Sequence, residues 1–347
     1  MNFYTKQHKY YCGIDLHTNK MYVCILDEAG EIMVHRNIKT DKEVFLKVIE
    51  PYREDIVVCV ECMFTWYWIA DLCGEENIPF VLGHALYMKA IHGGKAKNDR
   101  IDSHKIAIIL RGGMLPQAYV YPPQMRSTRD LLRRRNHLMR KRAELFSHIQ
   151  NTRSQYNLDD PIGKIALPKN RKGLVDRFDD PSVQNMIAVD LQVIEAYDPI
   201  IDQMESNIIK MAKHHDPIAL ALLNTVNGIG KILSLVILYE IEDINRFPTV
   251  QDFASYSRLV KCSKESNGKK YGSGGKKIGN AHLKWAFSEA AVLFLRGNKP
   301  AQKYRDRLAS KHGKGKALSI LAHKLGRAVY FMLKNKKPFD QNKFFGL

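Results

Sequence analysis

The spacing of hydrophobic positions changes character along the chain, and each change predicts a different element. Between residues 10 and 38, apolar and polar positions alternate through YYCGIDL, MYVCIL and EIMVHRNI, with turn residues at Thr18-Asn19-Lys20 and at Asp27 to Gly30. Alternation with β-branched content predicts a three-stranded meander. A helical stretch follows from about Asp41. Then comes IVVCVE, a short continuous apolar run of the kind that forms a buried strand, a helix over Trp66 to Cys73, and a further short strand, PFVLG. The resulting order, βββαβαβα, is that of a ribonuclease-H-like domain, and other mixed α/β folds share parts of it.

From Arg126 to about Tyr156 the period becomes helical, with Leu131/Leu132, Leu138/Met139 and Leu145/Phe146 recurring every seven residues. Such a helix would be about 45 Å long. A second heptad series carries Ile187, Ile194, Ile201 and Ile208, accompanied by Tyr197, Met204 and Met211. The two stretches predict an antiparallel coiled-coil arm. Pro199 interrupts the second one, and Asp198-Pro199 reads as a cap with a first-turn proline, so that stretch reads as two helices with a kink. Residues 157–181 between them, rich in Asp, Pro, Gly and Lys, read as a long loop at the tip.

A third, mostly helical part begins near Pro217. It contains LLNTVNGIGKILSLVILYEI, a polar Gly/Lys/Ser loop over 261–280, AHLKWAFSEAAVLFLR, a helix over Ala317 to Met332, and a basic tail. The expected fold class is therefore α/β plus all-α, in three parts. These are an RNase H/RuvC-like domain over 1–125, a coiled-coil arm over 126–216, and a C-terminal helical domain over 217–347.

Charge narrows the choice of partner. The 54 Lys and Arg against 36 Asp and Glu leave a formal +18, a surface excess that attracts a polyanion. No apolar run approaches the roughly 18 residues of a spanning helix, and MNFYTKQHKYY lacks the apolar stretch of a signal peptide, so the expected location is the cytoplasm, in association with nucleic acid rather than a membrane. The six cysteines contain a single CxxC, Cys59 and Cys62, too little for a disulfide framework or a paired-CxxC zinc site.

Several residues could carry chemistry. Asp15 lies within the first strand, where a charge is costly, and Glu61 ends the central one. Asp99 and Asp102 are three apart at a helix start, so their carboxylates share a face. In isolation these two read as a helix cap and a first-turn acid. Together with Asp15 and Glu61 they suit a hard divalent cation, Mg²⁺ or Mn²⁺. In the C-terminal loop, Ser266 and Ser273 stand among glycines and lysines, including Lys269, Lys276 and Lys277, that could meet a phosphate. Residue chemistry by itself favours a basic loop that merely touches DNA. Asn227-Gly228-Ile229-Gly230 resembles a helix-hairpin-helix turn, with Gly228 and Gly230 as candidate phosphate contacts. The long helix adds Arg133, Arg134, Arg135 and Lys141 as candidate nucleic-acid contacts.

These motifs resemble the DEDD transposases of insertion sequences, a family that includes the Piv-type DNA invertases and the bridge-RNA-guided recombinases. GIDLH, VVCVE and KNDRIDSHKIA stand at the positions of its four acids, here Asp15, Glu61, Asp99 and Asp102; TVNGIGKILSLVILYEIEDINRF, SYSRLVKCSKESNGKK and IGNAHLKWAFSEAA resemble its transposase domain. The resemblance implies a serine that attacks DNA and becomes covalently joined to it, a guide RNA encoded by the element, and a homodimer or homotetramer. The family's Ser-Ser-Gly-Gly-Lys register falls on Glu265-Ser266-Asn267-Gly268-Lys269, with Glu265 replacing the first serine and Asn267 the first glycine. Ser266 is the implied nucleophile. Gly272-Ser273-Gly274-Gly275-Lys276 keeps Ser273 as the alternative. Two other functions fit the same sequence. A RuvC-like junction nuclease would cut with metal alone, and a non-catalytic protein would only bind DNA.

Overall fold

The computed structural model describes residues 2–91, 98–159, 163–274 and 278–346, which separate into two compact units, Met1–Pro123 and Gln124–Leu347. In the first unit the alternating runs form the predicted meander: β2 (Tyr10–Leu16), β3 (Lys20–Asp27) and β4 (Ile32–Lys39), each antiparallel to the next. Beside β2 lie β5 (Ile56–Glu61) and then β6 (Phe80–Gly83), both parallel to it, giving the sheet order β4-β3-β2-β5-β6. A short pair, β1 (Phe3–Tyr4) with β7 (Leu115–Pro116), stands outside this sheet.

The two-residue period sorts the strand side chains onto two faces. Cys12, Ile14 and Leu16 of β2 pack with Phe45, Val48 and Ile49 of α1 (Lys42–Ile49) and with Ile69, Leu72 and Cys73 of α2 (Tyr67–Glu75). On the opposite face Tyr11, Val57 and Cys59 meet Ile106, Ile109 and Leu110 of α4 (Asp99–Arg111), with Met88 of the preceding α3 (Ala85–Ile91). Asp15 and Glu61 continue this second series. Because Ile14 pairs with Val60, they stand side by side at the ends of β2 and β5, on the face that α4 covers.

In the second unit α5 (Pro123–Gln155), which begins at the boundary residue, and α6 (Pro181–His215) run antiparallel. Arg135 pairs with Glu205, Arg142 with Asp198 and His148 with Asp190, so the partners descend α6 as α5 ascends. The expected interruption at Pro199 is absent: α6 continues through it. Asp198 serves no cap there, its carboxylate being held by Arg142 and by Arg171 at 2.7 Å. Ile194, Ile201 and Ile208 are buried on both sides of the proline, and this packing outweighs the lost backbone bond. Ile165, Leu174 and Phe178 from the connecting segment close the far end against Ile149 and Ile187.

The remaining elements are α7 (Pro217–Asn224), α8 (Lys231–Ile241), α9 (Val250–Tyr256), a hairpin of β8 (Cys262–Ser266) and β9 (Lys269–Gly274), α10 (Ala281–Phe294), α11 (Lys299–His312), α12 (Lys314–Asn335) and α13 (Gln341–Phe345). Leu233 to Ile241 are buried all round the helix, so α8 is the central element, packed against α10, and its core is shared with Ala286, Phe287 and Ala290 of α10 and with Leu321, Leu325 and Val329 of α12. The segment expected as a loop over 261–280 is a hairpin across 262–274. Its strands carry few apolar residues, so no alternation marked them.

Candidate active site

Gly13 determines how closely α4 approaches the sheet. A Cβ there would lie 2.3 Å from the Ala107 amide nitrogen and 2.5 Å from the Ser103 carbonyl oxygen, so only glycine admits the helix backbone this near β2. His35 of β4 holds the first turn of α4, its Nε2 lying 2.9 Å from the Arg100 carbonyl oxygen. Asn98 caps the helix, its Oδ1 accepting from the Ile101 amide at 2.8 Å. Asp99 is therefore the first helical residue and is not the cap, and its carboxylate is turned to a different use.

That use involves a residue the sequence reading passed over. Ligand atoms of Asp15, His17 and Asp99 all lie within 4.8 Å of one another, the one such group of three among the described residues. His17 Nε2 is 3.4 Å from Asp15 Oδ2 and 3.6 Å from Asp99 Oδ1. Glu61 and Asp102 are outside this group. Glu61 is the strand neighbour of Asp15, and Asp102, three residues after Asp99, has Lys105 Nζ at 3.9 Å. Burial pushes the Asp15 carboxyl above its ordinary range, and the negative charges of Asp99 and Asp102 push the same way against the opposing effect of His17. The centre is thus short of positive charge, and its two carboxylates with an imidazole are a donor set that fits a divalent cation.

The serine segment is built differently. Asn267 and Gly268 have φ of 50° and 71°, the left-handed pair of a two-residue hairpin turn, which asparagine and glycine adopt with least strain. Ser266 is exposed where β8 meets this turn and pairs with Lys269, which is also exposed. Asn267, a departure from the family register, is thus a residue that the turn favours. Ser273 pairs with Ser263 farther along the strands. Lys276 and Lys277 lie outside the described residues. Arg258 Nε donates to the carbonyls of Ile278 and Gly279 at 2.8 and 2.9 Å, anchoring the chain that leaves the hairpin. Asn280 caps α10 and donates to Glu240 at 2.7 Å.

Glu240 also accounts for part of the arginine run. It is buried in α8, Arg129 Nη2 and Arg133 Nε reach it at 3.0 and 2.7 Å, and these partners hold its carboxyl at about 2 despite the opposing cost of burial. Arg135 is likewise committed, to Glu205, and Lys141 lies 2.8 Å from Glu144 one turn on. Of the four basic residues singled out on this helix, Arg134 and Lys141 are exposed. In the turn before α8, Gly228 (φ +86°) lies against α10, where a Cβ would come 2.5 Å from the Phe294 amide, and Gly230 begins α8 in open space. No described helix is long and apolar enough to cross a membrane.

Residues 12–157, which hold all four acids, match the IS110-type DEDD transposase family, described as a transposase, and residues 220–306, which hold Ser266, match the Transposase IS116/IS110/IS902 family. This chain belongs to the IS110-type DEDD transposases. The transposase for insertion sequence element IS1111A of Coxiella burnetii (strain RSA 493 / Nine Mile phase I) is 22% identical over 339 residues, covering 94% of this chain and 90% of that protein. An IS110-type transposase cleaves and joins DNA, and its DEDD domain carries an RNase H-like fold, which agrees with the five-stranded sheet found here.

Proposed function

We propose that this transposase cuts and rejoins strands through a covalent intermediate on Ser266, with a divalent cation held by Asp15 and Asp99 and with Glu61 and Asp102 close beside them. A bound Mg²⁺ or Mn²⁺ would supply charge stabilisation at the reacting phosphate. The observation that carries the reading is the placement of Ser266, an exposed hydroxyl beside a tight two-residue turn. When Oγ attacks phosphorus, the new O–P bond replaces the bond to the leaving sugar oxygen. The serine proton is released, and the leaving oxygen gains one. No water is consumed, so the phosphodiester energy is retained for rejoining. An element-encoded RNA guide and assembly as a homodimer or homotetramer complete the proposal. The RNA rests on the family resemblance, and the net charge of +18 suits RNA and DNA alike.

The test is to incubate the protein with its guide and a nicked or gapped target and search by mass spectrometry for a peptide carrying a nucleotide. An adduct on the peptide holding Ser266, lost in Ser266→Ala and kept in Ser273→Ala, is the expected result. The reverse pattern moves the role to Ser273. No adduct under cutting conditions returns the chemistry to direct hydrolysis.

A further inference from the structure

We infer that His17 is a direct ligand of the cation held by Asp15 and Asp99, and that its nitrogen tilts the centre toward Mn²⁺ over Mg²⁺. This deepens the cation reading above and rests on it.

The backbone of His17 is fixed before its side chain does anything. Its amide donates to the Lys20 carbonyl at 3.2 Å, its carbonyl accepts from Thr40 Oγ1 at 2.9 Å, and the Thr40 amide donates to the Asn19 carbonyl at 3.1 Å, tying the β2–β3 turn to the end of β4. From that turn the imidazole reaches back over the end of its own strand and across to the first residue of α4. Nε2 stands 3.4 Å from one carboxylate and 3.6 Å from the other. Ligands at about 2.1 Å around an octahedral ion are about 3.0 Å apart when adjacent and about 4.2 Å apart when opposite. Both separations fall inside that window and beyond the usual 2.7–3.2 Å or so of an N–H···O bond. The imidazole nitrogen is thus spaced to share an ion with either carboxylate, and the ligand atoms of all three residues lie within 4.8 Å of one another. The His17 side chain is 56% exposed, which leaves the ion's remaining positions open to water and phosphate oxygen.

Donor chemistry then decides which ion gains. Carboxylate oxygens serve Mg²⁺ and Mn²⁺ alike, whereas imidazole binds better to first-row transition ions and is a poor ligand for Mg²⁺. The alternative role for His17 is that of an imidazolium that neutralises the two carboxylates when no ion is bound, competing with the cation instead of holding it. The two roles predict opposite effects of removing the ring.

Full-length protein titrated with MnCl₂ alone, with free Mn²⁺ followed by electron paramagnetic resonance, separates them. The bound ion is then examined for ¹⁴N coupling by spin-echo modulation, and Mg²⁺ is added as competitor. The unaltered protein is expected to show ¹⁴N coupling and to retain Mn²⁺ against excess Mg²⁺. In His17→Ala the coupling disappears and Mn²⁺ affinity falls about tenfold or more, a loss that even an outer-shell partner can produce. His17→Asp binds without ¹⁴N coupling and discriminates less between the two ions. Circular dichroism checks that both variants fold. Unchanged ¹⁴N coupling in His17→Ala, or Mn²⁺ affinity that rises, overturns the assignment of His17. Normal Mn²⁺ binding by Asp15→Asn instead overturns the cation reading on which it rests.

Discussion

Gly13 has no left-handed backbone to account for it; what it supplies is room for α4, and that room brings Asp99 and Asp102 to Asp15. Gly13→Ala forces a methyl against the backbone of Ala107 and Ser103, so α4 has to move as a body. The expected cost is about 2 kcal/mol in the unfolding of the N-terminal unit, within the range of overpacked cores. Urea titration followed by Trp66 and Trp68 fluorescence in a Trp285→Phe background would measure it, and Mn²⁺ affinity should drop in the same variant. A variant with unaltered stability and metal affinity would show that the helix is not held at that distance. At this scale the sequence was informative about the acids, because a charge inside an apolar strand is conspicuous. It was silent about His17 and Gly13, whose importance depends on a helix more than 80 residues away in the chain.

Between elements, one buried carboxylate joins three helices of the C-terminal unit. Glu240 connects α8 to two arginines of α5 and to the asparagine that caps α10. Its folded pKa of about 2 lies below the ordinary 4.5, so the folded state holds its proton less tightly than the unfolded chain. The sign follows. The stabilisation is complete above about pH 4.5 and is lost as pH falls toward 2, amounting to about 3 kcal/mol at neutral pH with about half gone by pH 3. Comparing unaltered protein with Glu240→Gln by thermal unfolding between pH 7 and 3 should show the gap narrowing across that window; a gap constant with pH would mean that the ionised carboxylate is not what matters. Arg133 meets Glu240 across 107 residues and Arg135 meets Glu205 across 70, and no local pattern announces pairings of that length. The hairpin was legible in principle. Asn267-Gly268 is the strongest short turn signal, but the strands around it lack the apolar alternation that identified β2 to β4.

At the scale of the whole molecule, the excess of 18 positive charges makes DNA binding strongly dependent on salt. With Arg133 and Arg135 paired inside the protein, Arg134 is the arginine of the run to alter. Arg134→Glu is expected to lower the slope of log affinity against log salt by about one unit while leaving the melting temperature within about 2 °C, if the helix touches the phosphate backbone. Arg133→Glu should instead lower the melting temperature, because it places a second acid against Glu240. An Arg134→Glu slope identical to that of the unaltered protein removes this face from the interface. The division into a mixed α/β unit and a helical one was legible because the hydrophobic period changes from two to seven near residue 126. The destinations of the arginines were not, since a cation on a helix carries no mark of whether it faces solvent or a distant carboxylate.

The paired α5 and α6 behave as a ruler. Arg135 with Glu205 and Arg142 with Asp198 are rungs set seven residues apart on both helices, about 10 Å along the axis. Removing seven residues from each helix between rungs shortens the arm by one graduation and leaves every remaining pair in register. Removing a number that is not a multiple of seven turns the rungs beyond the deletion off the shared face. The length of this helix pair is therefore open to evolution or to an engineer in steps of about two helical turns.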